Sequence, residues 1–284
     1  MKLFAKKRDA IRSQKTAKIW AKSVLNKSGI EGVDYVVNPY VGCAHRCAYC
    51  YASFMKRFSG HREPWGGFVD VKVNAPEVLA RQLKRAAPAS VQLSSVTDPY
   101  QPLERKYQLT RRCLEELAKH QELEVSILTK SDLALRDIDL FKRIGNCSVG
   151  FTITSARDEV ARIFEPVAPP PSRRLAALRK LAQEGIETLA FFGPILPYFS
   201  DNDDAVEELF QRFAEAKVGR VIADRMNFYP SVKARVFSLL RGRCPQAIDS
   251  VREALYYEDA YSQELRVKVW HWAARFDLPC EVIF

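Results

Sequence analysis

The sequence predicts an α/β fold: a partial, open barrel of parallel strand–helix units, (β/α)6, followed by a helical C-terminal extension. Three observations carry this expectation. Short β-branched runs recur between longer segments of helical periodicity, the pattern of parallel βα units. About six such units fall between residues 35 and 230, fewer than the eight of a closed barrel. Several runs end directly in polar loops rich in Cys, Pro or Asp, and in such barrels the C-terminal strand ends carry the chemistry. The expected organisation is a basic arm over 1–30, a barrel core over 31–230 and an extension over 231–284.

In the arm, Ala17, Trp20, Ala21 and Val24 recur at helical spacing, with Lys15, Lys18 and Lys22 on other faces. This predicts a short amphipathic basic helix ending near Gly29. Residues 35–40 (YVVNPY) read as the first strand, stopped by Pro39. Residues 65–74 hold turn glycines, then Phe68, Val69, Val71 and Val73 in part-alternation. Pro76 opens a helix over 75–84. A strand over 91–95 runs into the loop Val96-Thr-Asp-Pro-Tyr-Gln-Pro102, and a helix over 110–120 turns Leu114 and Leu117 inward. The strand over 124–129 ends at Lys130 and Ser131; a helix over 133–144 and a strand over 147–154 follow. After three prolines, Ser172 is placed to cap a helix with Leu175, Leu178, Leu181 and Ala182 inward. Residues 188–194 form a strand, and Asp203 or Asp204 caps a helix carrying Val206, Leu209, Phe210, Phe213 and Ala214. Residues 219–223 begin the sixth strand. The tail is helical, with Trp270 and Trp272, and ends in a short strand over 280–284.

With 284 residues, 47% of them hydrophobic, the chain can build a large core. Seven cysteines, three of them in one cluster, do not form a disulfide scaffold and fit a reducing compartment. The start, MKLFAKKRDAIRSQK, has no apolar run of the signal-peptide kind. The longest apolar stretch, 188–196, is broken by Gly193 and Pro194 and is too short to span a bilayer. The expectation is a cytoplasmic protein with no membrane partner. Net charge is +10, and residues 1–30 hold nine Lys/Arg against the single acid Asp9. Such an arm is an electrostatic footprint for nucleic acid; a solvated tail has the same composition.

The densest chemistry is Cys43-Ala-His-Arg-Cys47-Ala-Tyr-Cys50-Tyr51. Three thiols within eight residues leave one over if two pair, and soft thiolates select iron–sulfur clusters or zinc. Structural zinc takes four protein ligands, which here means the three cysteines with His45 or His61. A four-iron cube takes one ligand per iron, so three cysteines leave one iron open to another molecule.

The Cys-x3-Cys-x2-Cys spacing, with an aromatic before the last cysteine, resembles the cluster loop of radical S-adenosylmethionine (SAM) enzymes. With Asn38-Pro-Tyr-Val-Gly42, Thr97-Asp-Pro-Tyr-Gln-Pro102, Thr129-Lys-Ser131, Glu165-Pro166 and Arg173-Arg-Leu175, the likeness extends to the spore photoproduct lyase-like group. The resemblance implies a partial (β/α)6 TIM-like barrel of the radical SAM type. It implies a 4Fe–4S cluster on Cys43, Cys47 and Cys50, with SAM on the fourth iron and a flavodoxin- or ferredoxin-type reductant. It also implies SAM contacts: Tyr49 over the adenine, Tyr51 by its hydroxyl, Ser95, Thr97 and Asp98 near the ribose or amine, and Lys130 with Thr152 or Thr154 near the carboxylate. In the lyase itself a cysteine shortly before the matching Ser-Asp pair returns a hydrogen atom to the product. This sequence has Ser94, Ser95 and Val96 there, so the catalytic hydrogen donor is unassigned. Three functions remain open on the residues: a radical SAM enzyme acting on nucleic acid, one acting on a protein or small metabolite, and a zinc-stabilised nucleic-acid-binding protein without catalysis.

Overall fold

β-Branched and aromatic runs make the strands, and amphipathic runs make the helices between them. The computed structural model describes residues 14–85 and 89–284; the first thirteen residues of the basic arm lie outside these. The chain divides into two compact units, Met1–Arg46 with Ala52–Gly150, and Cys47–Tyr51 with Phe151–Phe284.

The first unit contains β1 (Lys15–Ile19), β2 (Leu25–Lys27), β3 (Tyr35–Val37), β4 (Tyr40–Val41), β5 (Phe68–Lys72), α1 (Ala75–Leu83), β6 (Ser90–Leu93), α2 (Glu104–Tyr107), α3 (Leu109–Leu117), β7 (Glu124–Thr129), α4 (Ile138–Ile144) and most of β8 (Cys147–Thr152). A 3-10 helix, Tyr51–Phe58, leads out of the cysteine loop. β3, β6 and β7 pair in parallel, as expected of βα units, and β2 adds to β3 antiparallel. β7 alternates buried and open positions. β8 is buried at every residue, as a central strand covered on both faces must be.

The basic helix expected in the arm is absent. Lys15–Ile19 instead forms β1, parallel to β5 from the Lys15–Phe68 pair to the Ile19–Lys72 pair, and Trp20 is 81% exposed. The cause is tertiary. β5 offers a row of backbone groups that need partners, and a helix this short is marginal alone. The Asn74 side chain then fixes the end of β1, accepting from Ala21 N at 2.8 Å and donating to Ala21 O at 2.9 Å. The expected helix over 133–144 also splits, into a 3-10 turn, Asp132–Asp137, and then α4. Ser131 caps that turn, and fully buried Asp137 takes Arg111 and Arg136, each at 2.8 Å. These local bonds compete with the α-helical ladder.

The second unit contains α5 (Asp158–Phe164), α6 (Pro171–Gln183), β9 (Glu187–Ile195), α7 (Asp203–Glu215), β10 (Arg220–Arg225), α8 (Pro230–Arg243), α9 (Ile248–Tyr256), α10 (Glu258–Arg275) and β11 (Cys280–Val282). β9, β10 and β11 are parallel, and the β9–β10 register shifts between Ala223 and Arg225. Two expected caps are corrected. Ser172 lies inside the first turn of α6 and bonds Asp158 through its amide at 2.9 Å and its hydroxyl at 2.7 Å. Pro171 takes the first helical position, which suits its fixed φ. On α7, Asn202 is the cap, accepting from Ala205 N at 3.0 Å, while Asp203 and Asp204 sit in the first turn, favourable to the helix dipole. The apolar stripe of α7 is as expected: Val206, Leu209, Phe210 and Phe213 are fully buried, each stabilising by about 1.5–3 kcal/mol. Among the described residues no helix is long and apolar enough to cross a membrane.

Candidate active site

In the first unit the cysteine loop begins at Gly42, in the left-handed region at φ +86°, where a Cβ would stand 2.5 Å from the Phe68 carbonyl oxygen. Only glycine fits that approach. The loop after β6 grips the backbone on both sides of Cys43. Thr97 Oγ1 donates to Gly42 O at 2.5 Å, and Gln101 Oε1 accepts from Ala44 N at 3.0 Å. Gln101 is completely buried. Tyr40, on β4, donates its hydroxyl to buried Glu104, which also accepts from Thr110 N at 3.0 Å and Arg136 at 2.8 Å. Burial and the Glu104 charge push the Tyr40 phenol above its ordinary range.

Asp98 is buried and its carboxylate is surrounded by donors of the protein itself. It accepts from Tyr100 N at 2.9 Å, Thr129 Oγ1 at 2.7 Å and Lys130 N at 2.8 Å. His45 Nε2, from inside the cysteine loop, is 3.3 Å from its Oδ2. Burial alone would raise this carboxyl; the His45 contact and the donors outweigh it and hold the group below the usual carboxylate range. Asp98 thereby ties the end of β6 to the end of β7 and to the cysteine loop. Ser95 is joined to the other neighbouring strand end: its amide donates to Asn38 Oδ1 at 3.1 Å, and Asn38 follows β3. His61, the other candidate zinc ligand, has Nε2 2.9 Å from Asp70 and stacks on Phe68 with centroids 4.0 Å apart.

The second unit holds the other part of the loop, Cys47–Tyr51. Ala48 N donates to Phe164 O at 2.8 Å. Tyr49 belongs to a buried apolar cluster that includes Phe164, Leu196, Met226 and Val232, and it donates its hydroxyl to Glu165. Glu165 also accepts from Arg174 and from Thr154 Oγ1 at 3.1 Å. Arg174, fully buried on α6, donates further to Thr152 O at 2.9 Å and Pro169 O at 2.8 Å. The sequence motifs Glu165-Pro166 and Arg173-Arg174 thus converge on Tyr49. Arg235, on α8, donates to Ala48 O at 3.0 Å and Cys50 O at 2.6 Å. Tyr51 is 48% exposed; burial of its phenol, with Cys50, Asp224 and Tyr229 nearby, pushes it up to about 12. Asp224 sits at the register shift of β10, and burial pushes its carboxyl up to about 6.

Sequence reasoning missed Arg235, His45 as a partner of Asp98, and the roles of Gln101, Glu165 and Arg174. The last three lie in motifs that the sequence displays. Arg235 is one basic residue of several on α8, and no local pattern marks it. Of the other cysteines, Cys113, Cys147 and Cys244 are buried, and Cys280 is partly open.

Parallel strand–helix units together with a Cys-x3-Cys-x2-Cys loop define a class. The chain belongs to the radical SAM superfamily, whose family model matches residues 37–213. It is an enzyme of that superfamily, which uses a 4Fe–4S cluster and SAM. Within the superfamily its fold is of the spore photoproduct lyase-like kind. Spore photoproduct lyase complexed with dinucleoside spore photoproduct superposes with a TM-score of 0.74 at 19% identity, over 98% of this chain and 84% of that one. An uncharacterised protein of Methanocaldococcus jannaschii is 40% identical over 191 residues, 67% of this chain and 71% of that protein. The radical SAM Nalpha-GlyT isomerase of Pseudomonas phage M6 is 28% identical over 189 residues, 66% of this chain and 38% of the isomerase.

Proposed function

We propose that this enzyme holds its cluster on Cys43, Cys47 and Cys50 and abstracts hydrogen from a nucleic-acid substrate. One observation carries the site assignment. Side chains remote in sequence fix the loop backbone at Gly42 O, Ala44 N, Ala48 O and Cys50 O. Each part of the loop is thus held to its own unit by side chains remote in sequence, as the backbone of a ligand loop must be. The donor set fits: three thiols suit iron, and His61 has both ring nitrogens against carboxylates, Glu63 and Asp70. When bound, the cluster and SAM supply a 5′-deoxyadenosyl radical, released with methionine by one-electron cleavage, which takes a hydrogen atom from the substrate.

The protein's own residues divide the remaining work. Thr97, Asp98, Tyr49 and Thr154 turn polar atoms toward the protein and act by positioning the loop and the strand ends. Tyr51, Ser95, Lys130 and Thr152, at strand or loop ends, are assigned to SAM itself. The lyase's repair reaction is not part of this reading, because Ser94, Ser95 and Val96 carry no thiol and a serine O–H is a poor hydrogen-atom donor. Nucleic acid is favoured by the positive arm and by the dinucleoside bound to the lyase of like fold. A reducing, cytoplasmic setting and a flavodoxin- or ferredoxin-type reductant suit an oxygen-sensitive cluster in a chain with seven cysteines.

The test is anaerobic reconstitution with iron and sulfide, then dithionite and SAM, with 5′-deoxyadenosine followed by chromatography. The nucleoside should appear, and Cys43→Ala, Cys47→Ala and Cys50→Ala should each lose iron and product together. Full iron content in any of the three removes that cysteine from the site. A colourless protein carrying one zinc ends the radical reading.

A further inference from the structure

The 3-10 helix Tyr51–Phe58, which begins directly after Cys50, has a surface that neither the core nor the cysteine loop uses. Ala52 and Ser53 are buried and anchor it, but Phe54 is 43% and Phe58 68% exposed. The Arg57 guanidinium lies over both rings, 5.6 Å from the Phe54 centroid and 4.6 Å from the Phe58 centroid. Residues 51–62 contain Lys56, Arg57 and Arg62 and no acid. Lys56 Nζ donates to the backbone carbonyl of Arg62 at 3.1 Å, which ties the helix to the segment that carries Arg62. The nearest acid in sequence, Glu63, is 3.1 Å from Lys15 and 3.3 Å from His61.

We propose that Phe54, Arg57 and Phe58 form a stacking platform for unpaired bases of a single nucleic-acid strand, whose phosphates are met by Lys56 and Arg62. The inference rests on the nucleic-acid reading above and names the surface that delivers the strand. Two flat apolar rings in water, with cations between them, match a polymer that alternates flat π-faces with anions. An acidic peptide would satisfy the cations and leave the rings idle. The sequence position gives the surface its purpose, since the platform starts four residues after the last cluster cysteine.

The experiment uses the reconstituted full-length enzyme and fluorescein-labelled oligothymidine, alone or annealed to oligoadenine, with binding read by anisotropy across a salt series. The single strand should bind more tightly than the duplex. The double variant F54A/F58A should weaken single-strand binding by roughly 10- to 100-fold with little change in salt slope. Phe58→Trp should keep wild-type affinity, and Lys56→Gln should reduce the salt slope by about one. Iron content and melting temperature serve as controls for folding, as both rings are exposed. Unchanged affinity in F54A/F58A overturns the platform and leaves the nucleic-acid reading standing. Displacement of the oligonucleotide by polyglutamate at equal charge also overturns it, because charge alone then explains binding. A wild-type enzyme that forms 5′-deoxyadenosine but binds neither strand nor duplex overturns the nucleic-acid reading and the platform together.

Discussion

The Arg235 guanidinium donates to the carbonyl oxygen of Cys50 at 2.6 Å, and its Nε donates to Ala48 O at 3.0 Å. Arg235 lies beyond residues 37–213, the span that matches the superfamily. The C-terminal extension therefore supplies part of the cysteine loop's support. Hydrogen bonds to a charged group contribute about 1.5–3 kcal/mol each. We expect Arg235→Ala to take up iron but to lose it about tenfold faster or more under a chelator. Arg235→Lys, which keeps the charge without the fork, should fall between. Wild-type loss rates in Arg235→Ala would confine the residue to packing.

Glu165 and Arg174 form a completely buried ion pair that also takes the Tyr49 hydroxyl. Removing one partner strands a buried charge, at a cost of about 3–5 kcal/mol. Glu165→Gln and Arg174→Met should each lower the melting temperature by about 10 °C. The double variant should be less destabilised than the sum of the two. Strict additivity in thermal melts would show that the two charges do not depend on each other.

Three donors of the protein point at the Asp98 carboxylate, Tyr100 N, Thr129 Oγ1 and Lys130 N, beside His45 Nε2. An asparagine there must turn an NH2 toward one of them, leaving it poorly paired, at about 1–3 kcal/mol. We expect Asp98→Asn to keep its iron and to bind SAM several-fold more weakly, as measured by equilibrium dialysis. An unchanged SAM dissociation constant would leave Asp98 as a turn residue only.

The Asp224 carboxyl is pushed up to about 6 from an ordinary value of 3.8. A raised carboxyl pKa means that the folded protein holds its proton more tightly than the unfolded chain does. Its ionisation therefore costs stability as pH rises from about 4 to about 6, to at most about 3 kcal/mol above that window. Asp224→Asn should melt with the wild type near pH 4 and above it at pH 7, measured without SAM. A gap that is constant with pH would show that the carboxyl titrates normally.

What the sequence shows and what it conceals divide by distance along the chain. The parallel strands were legible because each is a short β-branched run, and the three cysteines because their spacing lies within eight residues. Asn202 was passed over for its acidic neighbours because all three are good caps and only geometry separates them. The arm's helix failed because the β5 edge, some fifty residues on, decides the conformation of Lys15–Ile19. The supports of the cysteine loop were illegible for the same reason. Tyr49 meets Glu165 across 116 positions and Arg235 meets Ala48 across 187, and no local pattern encodes either pairing.

That last separation also sets a timetable. A ribosome adds about 5–20 residues per second, so Arg235 emerges about 10–40 s after the carbonyl of Ala48 that it will hold. Gly42 and Ala44 find Thr97 and Gln101 much earlier. The nascent chain thus carries this loop half-supported for most of its synthesis. Until Arg235 has emerged, the carbonyls of Ala48 and Cys50 lack the partner that later holds them.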